Sequence, residues 1–126
     1  MIDQEITEKI LGCCFEVSNE LGSGFLESVY EKALLLLLQE QGLKAISQAP
    51  IAVKFRDQIV GEFFADILVE DKIVVELKAV KKLAPEHLAQ VINYLKATGF
   101  ETGLLVSFGC QKLEYRRLSN KLERLN

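Results

Sequence analysis

Between residues 44 and 78 the hydrophobic pattern changes from helical spacing to that of strands, which limits the layers this chain can build. Residues 44–55, 59–69 and 72–78 are rich in Ile, Val and Phe, and are separated by Arg56 with Asp57 and by Glu70 with Asp71. Apolar runs broken by short polar turns read as a meander of three strands. Pro50 has no N–H for a ladder and belongs at an edge or a bulge.

Helices flank this meander. Ile6, Ile10, Cys14, Val17 and Leu21 recur at three- and four-residue spacing, which predicts an amphipathic helix over 3–21. Gly22, Ser23 and Gly24 interrupt it, and a second helix is expected over 26–41, with Gly42 as its stop. Its consecutive leucines, Leu34 to Leu38, leave little polar face. That helix should be largely enclosed by the sheet and the first helix, or by another subunit in a homo-oligomer. A third helix over 86–97 follows Pro85 and ends at Gly99, and Thr102 to Ser107 reads as a short apolar strand. The tail 112–126 suits either a last strand from Leu113 to Leu118 or a short helix carrying Leu118, Leu122 and Leu125. The order α-α-β-β-β-α-β describes an α/β fold with a central mixed sheet flanked by helices.

A length of 126 residues suits one domain, and 49% hydrophobic with 26% charged residues excludes a disordered chain. The net charge of −3 lacks the basic footprint usual in nucleic-acid binders. Contact with nucleic acid would need a local basic patch or metal ions screening an acidic cleft. Lys81, Lys82, Arg116 and Arg117 are either that patch or ordinary solvated surface. Cys13, Cys14 and Cys110 have neither zinc-site nor disulfide spacing, and read as buried free thiols in a reducing compartment. No signal-peptide pattern opens the chain, and the leucine run is far short of the roughly 20 apolar residues of a membrane span. A cytoplasmic protein that contacts no membrane is the expectation.

The stretch from Phe64 to Lys78 carries the chemistry. Alternation along a strand puts Glu76 and Lys78 on one face, with Val75 and Leu77 on the other. If a tight turn spans Glu70 to Lys72, Asp66 falls opposite Glu76, with Cβ atoms about 4.5–5.5 Å apart. Two carboxylates that close repel each other, and a hard cation such as magnesium relieves the repulsion. Lys78, one pleat on, would then sit beside metal-bound water poised to attack a phosphodiester. The competing reading is a cross-strand ion pair between Lys78 and either acid. Gln90 and Tyr94 share a face of the third helix, and Glu27 and Tyr30 share one at the start of the second. Each pair also suits a solvated polar residue beside a rim aromatic. His87 is expected to be an exposed histidine, with an approach to the site as the alternative.

Gly24, Glu27 and Tyr30 form G-x-x-E-x-x-Y; Asp66 with Glu76 and Lys78 forms D…E-x-K; Gln90 and Tyr94 form Q-x-x-x-Y. In this order the chain resembles the GxxExxY proteins, a family of the PD-(D/E)XK nuclease superfamily, in its RecB-like branch. The resemblance implies a restriction-endonuclease-like core and a Mg2+- or Mn2+-dependent nuclease acting on DNA or RNA. It further implies that Asp66, Glu76 and Glu27 hold metal, that Lys78 is the catalytic lysine, and that Gln90, Tyr94 and Tyr30 serve substrate binding. Ala65 stands where the wider superfamily often has proline. The alternative on the same fold is a non-catalytic module that binds nucleic acid or a protein partner.

Overall fold

The computed structural model describes residues 3–120. Helix α1 (Asp3–Leu21) leads into α2 (Glu27–Glu40). Strands β1 (Ala45–Phe55), β2 (Gln58–Val69) and β3 (Ile73–Lys78) follow, then α3 (Pro85–Thr98), β4 (Thr102–Ser107) and β5 (Glu114–Ser119). The expected order α-α-β-β-β-α-β holds, and within the tail residues 114–119 form a strand. The competing helix through Leu122 and Leu125 lies largely outside the described residues.

The five strands lie in the order β1-β2-β3-β4-β5. Neighbours are antiparallel except β3 and β4, which run parallel. That exception follows from α3: a helical crossover returns the chain to the same end of the sheet before the next strand begins. Pro50 sits on the outermost strand, β1, where its missing N–H is tolerated. Arg56 and Asp57 turn the β1–β2 hairpin with φ of 50° and 65°, the left-handed pair that matches strand twist.

Helices α1 and α2 cover one face of the sheet and α3 the other. On the first face Ile6, Ile10, Val17, Leu34 and Leu38 pack with Ile67, Val75, Leu77, Leu104 and Val106. On the second, Val91, Tyr94 and Leu95 of α3 pack against Val74 and Leu105. Each fully buried Leu or Ile contributes roughly 1.5–3 kcal/mol, so these two layers dominate the stability. Gly103 lets α3 approach: a Cβ there would lie 2.7 Å from Val91 Cγ1.

The leucine run of α2 is enclosed on one side only. Leu34 and Leu38 are fully buried by α1 and the sheet, while Leu36 is 63% exposed. Cys13 and Cys14 are buried and Cys110 half-buried, all as free thiols. Among the described residues, no helix is long and apolar enough to cross a membrane.

Candidate active site

The turn between β2 and β3 decides the site. Glu70 and Asp71 take φ of 53° and 58°, and Lys72 N–H donates to Val69 O at 3.1 Å. Glu70 Oε2 accepts the Lys44 N–H at 2.6 Å, and Asp71 pairs with the Lys44 ammonium at 2.7 Å. The turn thus spans Glu70 to Lys72 as the sequence predicts, and it sets Val69 against Ile73 and Ile67 against Val75. Asp66 and Glu76 come next in that register.

At this point the backbone ladder stops and the side chains take over. Asp66 N–H donates to Glu76 Oε1 at 3.0 Å, and Leu77 N–H donates to Asp66 Oδ2 at 2.8 Å. Each carboxylate therefore accepts a backbone N–H of the opposite strand, a charge-assisted bond stronger than the neutral one it replaces. Strand β2 also turns over here. Ala65 packs in the cluster on the α3 side, whereas Ile67, two residues on, packs under α1 and α2. Gln48, opposite Asp66 on β1 between the Ser47–Ile67 and Ala49–Ala65 pairs, takes a φ of 52°.

Glu76 is 3% exposed. Burial, followed by the negative charge of Asp66, pushes its carboxyl up to about 8, and the Lys78 ammonium offsets this only in part. A hydrogen bond to the Asp66 side chain also favours its protonated form. Lys78 is half-buried on the same face as Glu76. Lys44 pairs with Asp71 and Lys72 with Asp3, whereas Lys78 forms no ion pair with Asp66 or Glu76. The cross-strand ion-pair reading fails on this point. What remains is a buried carboxyl crowded by a half-buried one, and a cation would allow both to ionise together.

Helix α3 lays Gln90 and Tyr94 toward this pair. Burial raises the Tyr94 hydroxyl, the charges of Glu76 and Asp66 raise it further, and a hydrogen bond from Gln90 lowers it. The Tyr94 ring stacks on Phe63 of β2, centroids 4.1 Å apart. Glu27 is exposed at the first residue of α2. Among the described residues, no three His, Cys, Asp or Glu side chains gather closely enough to hold a metal ion between them. The donor set therefore fits a hard dication through Asp66 and Glu76, with further positions left to water, as magnesium commonly has them.

The sequence reading passed over Glu31. It lies one turn beyond Glu27, half-buried, and accepts two hydrogen bonds from Gln48 Nε2 at 3.1 and 3.2 Å. Burial raises its carboxyl; Gln48 opposes that, while the charges of Asp66 and Glu27 add to it. Glu31 thus feels the charge of Asp66 from α2, and its i+4 spacing from Glu27 was the available signal.

Tyr30 is placed elsewhere. It is fully buried, donates to Gly22 O at 2.6 Å and accepts the Phe25 N–H at 3.1 Å. Its ring stacks on Phe108 at 4.6 Å. A hydroxyl committed on both sides in the core cannot meet a substrate, so the expected binding role gives way to a structural one. Tyr30 ties down the loop through Gly24, whose φ of 113° favours glycine, and so fixes where α2 begins. His87 is half-buried and caps α3: its Nδ1 accepts the Ala84 N–H at 3.0 Å, and its own N–H donates to Ala84 O at 3.0 Å. Lys81 and Lys82 are exposed in the loop before α3, and Arg116 and Arg117, successive on β5, face opposite sides of the sheet.

Comparison with known proteins bears on the fold and the family. No curated protein matches the sequence. Among solved structures, the protein SSO0001 superposes with a TM-score of 0.57 at 18% identity, over 74% of this chain and 50% of its own. This chain thus spans about half the length of that relative. An alkaline exonuclease from Laribacter hongkongensis, LHK-Exo, superposes with a TM-score of 0.51 at 16% identity, over 97% of this chain and 84% of its own. At such identities the likeness is one of fold. The family model of the PD-(D/E)XK nuclease superfamily matches residues 4–118, nearly the whole chain, which therefore belongs to that superfamily.

Proposed function

We propose that this protein is a metal-dependent nuclease that cleaves phosphodiester bonds in DNA or RNA, with Mg2+ or Mn2+ as its cofactor. The ordered motifs at Gly24, Glu27, Tyr30, Asp66, Glu76, Lys78, Gln90 and Tyr94 resemble those of the GxxExxY family in the RecB-like branch, and that resemblance supports the reading. The observation that carries the reading is the buried Glu76 carboxyl, raised by burial and by the charge of the half-buried Asp66 against it, with neither acid ion-paired to Lys78. An arrangement that costs stability in the folded chain calls for a ligand that repays it.

A dication held by Asp66 and Glu76 would acidify bound water and draw charge from a phosphate oxygen. Lys78, one pleat beyond Glu76, would position the attacking water through its ammonium. Gln90 and the Tyr94 hydroxyl hold the substrate from α3. Glu27 and Glu31, on successive turns of α2, are the acids available to complete the metal shell.

The test is a calorimetric titration of magnesium and of manganese into wild type and an Asp66→Asn/Glu76→Gln variant, followed by cleavage assays on DNA and RNA. Metal binding and cleavage by wild type alone support the reading; no metal binding by wild type removes it. A second reading, a non-catalytic module that assembles with itself or a protein partner, draws on the exposed Leu36 beside a shallow α1–α2 groove lined by Val17, Leu21, Ala33 and Leu37. A monomer by light scattering at high concentration counts against self-assembly there.

A further inference from the structure

A groove of about 680 Å3 runs between the β1–β2 hairpin and α3. Ala52, Val53, Phe63 and Ala97 give it apolar surface, and Lys54, Asn93 and Lys96 give it polar surface. It adjoins the carboxylate pair. Phe63 stacks on Tyr94, and the Tyr94 hydroxyl feels the charges of Asp66 and Glu76. Gln90, Asn93, Tyr94 and Ala97 follow i, i+3, i+4, i+7 spacing on one face of α3. The face that meets the carboxylates thus continues into the groove, and Lys96 lies roughly 9 Å farther along the axis than Gln90.

We propose that this groove binds one unpaired strand of nucleic acid and leads it to the Asp66–Glu76 pair. What happens at the pair rests on the nuclease reading; binding rests on the groove alone. Among the described residues its lining carries two lysines and no carboxylate, in a chain whose net charge is −3. Local positive charge on an acidic protein selects an anion. The apolar part, with the Phe63 ring, is matched by the face of a base, which a bare phosphate cannot cover. Lysines along a backbone combined with aromatic and apolar support for bases are the chemistry of single-strand binding. A duplex stacks its bases inside and presents phosphate and sugar, which leaves the apolar lining uncovered. The volume falls within the range of about 300–1,000 Å3 typical of small-ligand sites, room for on the order of one or two nucleotides and too little for a double helix.

The test is fluorescence anisotropy in EDTA, with a labelled single-stranded oligothymidine and a labelled duplex of equal length. Wild type, Lys54→Glu and Lys54→Ala/Lys96→Ala are compared; both lysines are exposed, so the fold should survive. The single strand should bind at least about tenfold tighter than the duplex, and each variant should lose about tenfold or more of that affinity. The double variant should also lower the slope of log affinity against log salt by about 1.4. Equal binding of duplex and single strand, or unchanged binding by the variants, overturns the proposal. Metal-dependent cleavage that the groove variants leave untouched overturns it too, while the nuclease reading stands. Groove-dependent binding without cleavage of any polymer supports the groove and removes the nuclease reading instead.

Discussion

Glu76 Oε1 accepts the backbone N–H of Asp66 at 3.0 Å, so a side chain from one strand occupies the place of a ladder bond on the other. The two carboxylates hold β2 and β3 in register while forcing like charges together. Stability and function pull against each other at this point, and the opposition is measurable.

Glu76→Gln keeps an acceptor for the Asp66 N–H and removes the repulsion. The folded-state value of Glu76 lies above its unfolded one, so the native protein retains a proton that the unfolded chain releases between about pH 4.5 and 8. Metal-free wild type should therefore lose stability as pH rises through that window, by at most roughly 1.4 kcal/mol per unit. The variant should show a flatter profile and a higher Tm at alkaline pH. Urea unfolding in EDTA across that range checks it, and a parallel profile for both proteins would contradict the assignment.

Metal affinity should move the opposite way. Binding must displace the Glu76 proton, so magnesium should bind more tightly as pH rises toward about 8, with proton release. Calorimetry in buffers of different ionisation enthalpy counts the protons. No proton release at neutral pH would mean that the pair is already ionised.

Lys78→Ala should lower cleavage by about 10²–10³-fold, the usual range for a charged donor aimed at the reacting centre. Stability should change by less than about 1 kcal/mol, since no ion pair is lost. Thermal unfolding beside the assay separates the two effects.

Tyr30→Phe should cost about 1–3 kcal/mol by stranding the Gly22 carbonyl and the Phe25 N–H. Tyr94→Phe should instead raise KM with little loss of stability. If Tyr30→Phe changed KM at unaltered stability, the structural role given to Tyr30 would be wrong.

Gly103→Ala should destabilise by about 1–3 kcal/mol, because the new methyl meets the stiff, buried side chain of Val91. Adding Val91→Ala should restore part of the loss. A double-mutant cycle in urea measures the coupling, and strict additivity would refute the contact.

Much of this was readable from local signals. The spacing of Ile6, Ile10 and Cys14 marks the buried side of α1, and the turn at Glu70 to Lys72 dictates that Asp66 meets Glu76. The tail was ambiguous because Leu118 suits both a strand and a helix; pairing with β4 decides for the strand, a long-range choice that local pattern does not contain. Glu31 escaped notice because its partner Gln48 is 17 residues away on another element. Tyr30 looked like a rim aromatic because its motif neighbour Glu27 is exposed, yet the ring turns inward onto Phe108. The inversion of β2 at Asp66 has no signature in a regular alternating run, and the Phe63–Tyr94 stack depends on it.

The outer strand β1 holds both Pro50, which lacks an N–H, and Gln48 in a left-handed backbone conformation. A β-strand from another molecule that tried to zip onto this free margin would meet a missing donor and a twist within three residues of each other. The irregularity that accompanies the placing of Asp66 thus also makes the open side of the sheet a poor template for aggregation.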